Sequence, residues 1–74
     1  MKNKNVHLIG SCGSLEHMAE LIGKHFYWKE PAVLLANNDD TWSVIFPSSS
    51  PRAGMKLKSV IVRKKKNRIR FERI

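Results

Sequence analysis

The hydrophobic pattern of this chain changes period at Pro31, and that change limits what the rest of the sequence can build. Before it, Leu15, Met18, Ala19, Leu21, Ile22 and Phe26 recur at spacings of three, four and seven, which places most of them on one face of a helix. Gly13 or Ser14 is positioned to cap the start, Glu16 and Glu20 suit the first turns, and Pro31 stops any helix running past Glu30. Gly23 weakens a helix by about 1 kcal/mol relative to Ala, so the end is expected between Gly23 and Tyr27. Beyond Pro31, Val33 to Ala36 and Thr41 to Phe46 flank Asn37-Asn38-Asp39-Asp40, side chains that favour turns because they bond their own backbone. This predicts a hairpin. With Ala36 opposite Thr41, residues Val33, Leu35, Trp42, Val44 and Phe46 share the face expected to receive the helix.

Two further segments complete the fold. Asn5 to Ile9 reads as a first strand, ended by the small residues Gly10-Ser11-Cys12-Gly13-Ser14. Pro47 to Gly54 is rich in Ser and Pro and is expected to be an exposed, mobile loop. Residues 55–74 then form a second hairpin: a strand from Met55 to Arg63, a turn near Lys64 to Asn67, and a strand from Arg68 to Ile74. Asn67 is expected to supply the positive φ that tight hairpin turns need. In the last strand Ile69 and Phe71 alternate with Arg68 and Arg70, apolar inward and charged outward. Upstream, Lys56 and Lys58 share a face with Val60 and Val62, so the first half of that strand is expected to be frayed or an edge. The predicted architecture is a single α+β domain over residues 1–74, β-α-β-β-β-β, with a curved, mostly antiparallel sheet covered on one face by one helix.

At 74 residues the core must be small, because a chain of this length buries only about 60% of the surface its unfolded form exposes. The 42% hydrophobic content nevertheless fits a folded globule rather than a disordered tail. Cys12 is the only cysteine, so no intrachain disulfide supports the core, and a reducing cytoplasm is the expected setting. No apolar run approaches the roughly 18 residues of a membrane span, and Met1 to Asn5 leads to no signal-type apolar core.

Charge is distributed very unevenly. From Arg52 to Ile74 ten Lys or Arg stand against one acid, Glu72, a balance of +9, whereas the first 51 residues sum to −1. Solubility is served by mixed signs, so this imbalance points to a partner. Four consecutive cations, Arg63 to Lys66, repel one another, and an anionic partner relieves that repulsion. The candidate contacts for nucleic acid or an acidic protein are Lys56, Lys58, Arg63, Lys64, Lys65, Lys66, Arg68, Arg70 and Arg73, with Tyr27 and Trp28 as candidate aromatic contacts. A strand-like basic segment is unlike the amphipathic helix of a membrane-surface binder, which favours nucleic acid. RNA-recognition, KH and helix-turn-helix motifs are absent, so sequence-specific readout is not expected.

Catalytic and metal chemistry find little support. Gly10-Ser11-Cys12-Gly13 lacks the Gly-Lys-Ser/Thr of a phosphate-binding loop and the third glycine of a dinucleotide fingerprint, so it reads as a plain strand-to-helix turn. His17 and His25 lie eight apart, about two helical turns, rather than the three or four that would aim both at one metal, and no Cys-x-x-Cys pair completes a site. Cys12 or Ser14 beside His17 lacks an orienting acid and an oxyanion hole. His17, His25 and Lys24 have the groups a small ribonuclease toxin needs, although His25 falls near the apolar helix face. No metal, cofactor or small-molecule substrate is expected.

In overall profile, through the compact apolar part up to Phe46 and the basic hairpin Lys56 to Arg73, the chain resembles small phage-encoded regulators that dock on host RNA polymerase. No signature motif carries that resemblance. It implies a non-catalytic protein of the host cytoplasm that binds the transcription machinery through one surface and alters initiation or termination while the basic hairpin lies near DNA or RNA. An autonomous DNA- or RNA-binding or ribosome-associated protein, and a ribonuclease toxin, are the alternative readings.

Overall fold

In the computed structural model, which describes residues 6–74, Ser14 is extended (φ −148°, ψ 157°), and its side chain accepts the backbone N–H of His17 at 3.1 Å. It thereby satisfies one of the donors that a helix start leaves free. The helix it caps, α1, spans Leu15–His25. Its far end is closed by two reversed hydrogen bonds, Trp28 N–H to the Gly23 carbonyl at 2.8 Å and Tyr27 N–H to the Lys24 carbonyl at 3.1 Å. This is the Schellman arrangement, and it puts Tyr27 in the left-handed region at φ 59°. Gly23, which weakens the helix, is there for proximity: a Cβ at that position would lie 2.7 Å from the Glu30 carbonyl oxygen. The chain therefore crosses tightly over the last turn of α1 and is anchored by Ala32 N–H to the Ala19 carbonyl at 3.0 Å.

Five strands follow the predicted order of elements: β1 (His7–Cys12) before the helix, then β2 (Val33–Ala36), β3 (Thr41–Ile45), β4 (Lys56–Lys65) and β5 (Arg68–Arg73). They form one open antiparallel sheet in the order β1-β5-β4-β3-β2. The α+β architecture is thus as the periodicities predict. Helix α1 touches β1, β5 and β2, so it crosses one face of the sheet and reaches both edge strands. Met18 and Ile22, one turn apart, are fully buried against Val44, Val62 and Phe71, with Cys12, Ala32, Val60 and Ile69 around them.

Several sequence expectations are corrected. The β2–β3 pairing sets Ala36 opposite Trp42, not Thr41, and Leu34 opposite Val44. A shift of one residue exchanges faces, so Leu34 joins Trp42 and Val44 beneath the helix, while Val33 and Leu35 lie on the open face, 48% and 58% exposed. The register is set by the hydrogen bond from Asn37 N–H to the Thr41 carbonyl at 2.9 Å and by the Asn37, Asp39, Thr41 and Ser43 side chains bonding one another. The first strand does not stop at Ile9: Gly10 pairs with Phe71, Ser11 with Arg70 and Cys12 with Ile69, after a bulge at Ile9. Asn5 lies outside the described residues.

Strand β4 is not an edge. It lies between β3 and β5, and its irregular first half is a bulge, since Val44 pairs with Leu57 where a regular ladder from Trp42–Val62 would reach Val60. The turn of the last hairpin is only Lys66–Asn67, and the positive φ falls on Lys66 (56°) rather than on Asn67. The segment 47–54 is largely exposed but internally bonded, by Ser50 N–H to the Pro47 carbonyl and Ala53 N–H to the Ser50 carbonyl, with Pro47 buried. Among the described residues no helix is long and apolar enough to cross a membrane.

Candidate nucleic-acid interface

The register of β4 with β5 sorts the cations by face. Val62 pairs with Phe71 beneath the helix, so the alternate pairs, Arg63 with Arg70 and Lys65 with Arg68, stand on the open face. Both are like-charge pairs directly opposite each other, an arrangement that opposes strand pairing by several tenths of a kcal/mol or more. The two are treated differently. Glu72, two residues along β5 on the same face, accepts Arg70 Nε at 2.8 Å and Arg63 Nε at 3.2 Å. Its side chain is 6% exposed, against 46% for Arg63 and 34% for Arg70. Burial alone would raise the Glu72 pKa, but the hydrogen bonds and positive charges of Arg70 and Arg63 together hold it below the ordinary 4.5. The first like-charge pair is thus bridged by a carboxylate within the chain.

The second pair, Lys65 and Arg68, is not. Among the described residues no acid pairs with Lys64, Lys65, Lys66 or Arg68, whose side chains are exposed. Arg68 is oriented by its Nε donating to Ser11 Oγ on β1 at 3.1 Å. Lys66 is fixed at the turn, and Lys64, opposite Ile69, points towards the helix side. The hairpin end therefore displays four uncompensated cations on a two-residue turn and the strand ends that meet it. The β2–β3 turn borders this surface, since Lys64 N–H donates to the Asp40 carbonyl at 3.0 Å, and it brings Asp39 and Asp40 to that side.

The remaining candidates lie elsewhere. Lys56 is opposite Ile45 at the other end of β4, Lys58 is in the bulge, and Arg73 is opposite His7 and Val60 at the far end of β5. Tyr27 and Trp28 are at the C-terminal end of α1. Tyr27 is 94% exposed. Trp28 stacks on Phe26 at 4.8 Å between ring centroids and leans on Phe46 at 5.1 Å, with the Arg52 guanidinium 5.9 Å from the Phe46 centroid. The nine candidate cations thus resolve into a hairpin-end cluster, an Arg pair bridged by Glu72 and three scattered residues.

Beside the cluster stands Trp42, which the hydrophobic pattern assigns to the face under the helix. It is half-buried, and with Lys64, Asn67 and the Ser14 cap it lines a cavity of ≈ 380 Å³ on the helix side of the hairpin. The signal for Glu72 was present in the sequence as a single acid in phase with Arg70. Its link to Arg63 depends on the cross-strand register, which the sequence does not display.

Cys12 is buried, its thiol donating to the Ser14 carbonyl at 3.2 Å, and no group of three or more potential metal-binding side chains occurs among the described residues. The His25 ring meets Phe26 and Phe71 edge-on at 4.8 and 5.6 Å. No family model, curated protein or solved structure matches the chain.

Proposed function

We propose that this protein is a non-catalytic regulator whose β4–β5 hairpin lies against the phosphates of DNA or RNA within a larger assembly. RNA polymerase is the proposed assembly, and transcription initiation or termination the step it alters. The observation that supports the nucleic-acid half is the uncompensated Lys65–Arg68 pair beside Lys64 and Lys66. A chain that places a carboxylate between one pair of opposed cations and none at the next leaves the second to an external anion. A phosphate backbone suits a row of cations with no base-reading motif, because such contacts position the protein without reading sequence. The polymerase half rests on the resemblance in profile to phage regulators and on no feature of the site.

The two halves separate in one experiment. Affinity capture from a cell lysate is run with wild type and with a Lys65→Glu, Arg68→Glu variant, each with and without nuclease treatment. Wild type is expected to retain RNA polymerase subunits after nuclease, and the variant to retain them while losing associated nucleic acid. Loss of polymerase from wild type on nuclease treatment would overturn docking and leave an autonomous nucleic-acid binder. Equal nucleic acid on both proteins would overturn the role of the hairpin.

A further inference from the structure

The cavity beside the hairpin end gives the proposed interface a preference that cations alone do not have. Trp42 lies on β3 under the edge of the helix, opposite Val62, and is the half-buried aromatic wall of this ≈ 380 Å³ recess. Lys64 lines it too, exposed and without an ion pair among the described residues, two residues from Val62 on the same face of β4. Asn67, in the hairpin turn, is exposed and lines the same recess. The volume lies within the range of about 300–1,000 Å³ that small organic groups occupy.

An aromatic wall, a cation and an amide around one recess, adjoining a row of cations, match the parts of a single nucleotide: a base to stack, an edge to hydrogen-bond and a phosphate. The bases of a duplex are stacked on each other and do not reach such a recess, whereas an unpaired base can turn into it. We infer that the hairpin surface binds single-stranded nucleic acid, with one unpaired base inserted against Trp42, its edge met by the Asn67 amide and its phosphate by Lys64. This rests on the nucleic-acid half of the proposed function and is independent of polymerase docking.

The chain contains two tryptophans, so Trp28→Phe leaves Trp42 as the only indole. That variant is titrated with a short oligothymidylate and with a duplex of the same length, following tryptophan emission and, with labelled oligonucleotide, fluorescence anisotropy. The single strand is expected to bind and to quench Trp42, and the duplex to bind with little change in emission. In the otherwise wild-type chain, Asn67→Ala at the exposed turn is expected to weaken the single strand about five-fold and leave the duplex unchanged. Binding of the single strand without quenching, or equal quenching by the duplex, would overturn the inserted base while leaving phosphate binding intact. The Asn67→Ala comparison, made by anisotropy with Trp28 in place, does not depend on Trp28→Phe folding normally, and equal loss of both ligands in Asn67→Ala would also overturn the base contact. Failure of both oligonucleotides to bind at low salt would remove the underlying reading and the inserted base with it.

Discussion

Glu72 is the residue on which the stability of the basic face depends most directly. Its carboxylate receives Nε donors from Arg63 and Arg70 and is nearly inaccessible, so Glu72→Gln leaves two guanidiniums opposed across the hairpin with no counter-charge. Both arginines are partly exposed and solvent screens them, so the cost is expected to be about 1–2 kcal/mol rather than that of a fully buried pair. Because the folded pKa of Glu72 is lowered, its contribution is fully present above the ordinary value of 4.5 and is lost as pH falls through the folded pKa. Denaturant titrations of wild type and Glu72→Gln should therefore differ at neutral pH and converge as pH falls below about 4.5. Tyr27 is the opposite case. It has φ 59° at a position where glycine is usual, and at 94% exposure it recovers almost no burial. Tyr27→Gly is expected to stabilise the domain by about 1 kcal/mol, seen as a higher midpoint with an unchanged m-value.

Among the elements, α1 shows how a residue unfavourable locally can be required globally. Gly23→Ala improves helix propensity by about 1 kcal/mol, yet the added methyl meets the Glu30 carbonyl oxygen at 2.7 Å, backbone that cannot step aside cheaply. The net effect is expected to be destabilising by about 1–2 kcal/mol in chemical denaturation. A rise in stability would mean that the 30–31 crossing is looser than the geometry indicates. The helix itself was legible because Met18 and Ile22 repeat its period and Ser14 and Pro31 bracket it. The strands were legible as segments, but their register was not. The β2–β3 register depends on the hydrogen bonds among Asn37, Asp39, Thr41 and Ser43, and the β4 bulge on how β3 and β5 divide one long strand between them. Neither leaves a periodic trace. The same limit governs the interface: ten cations could be counted along the chain, but the pairing of Arg63 with Arg70 through Glu72 and the isolation of Lys65 with Arg68 exist only once β4 and β5 are aligned.

At the scale of the whole molecule, a balance of +9 over residues 52–74 overstates the uncompensated positive surface. Arg63 and Arg70 are held by Glu72, Lys56, Lys58 and Arg73 are spread away from the turn, and the hairpin end is left with Lys64, Lys65, Lys66 and Arg68. The acids of the β2–β3 turn flank this end on its β3 side. This arrangement makes a quantitative claim, because each phosphate neutralised releases condensed counterions and contributes a fixed slope to the salt dependence of binding. Four contacts correspond to a slope of log Kobs against log salt of about −2.8 on a single strand or about −3.6 on a duplex. The most direct test of the account is this slope, measured by anisotropy on wild type and on Lys65→Glu, Arg68→Glu, with circular dichroism confirming that both are folded. On this account wild type is expected to give a slope near these values and the folded variant a markedly shallower one. A slope near zero in wild type, or one unchanged by the double substitution, would contradict it.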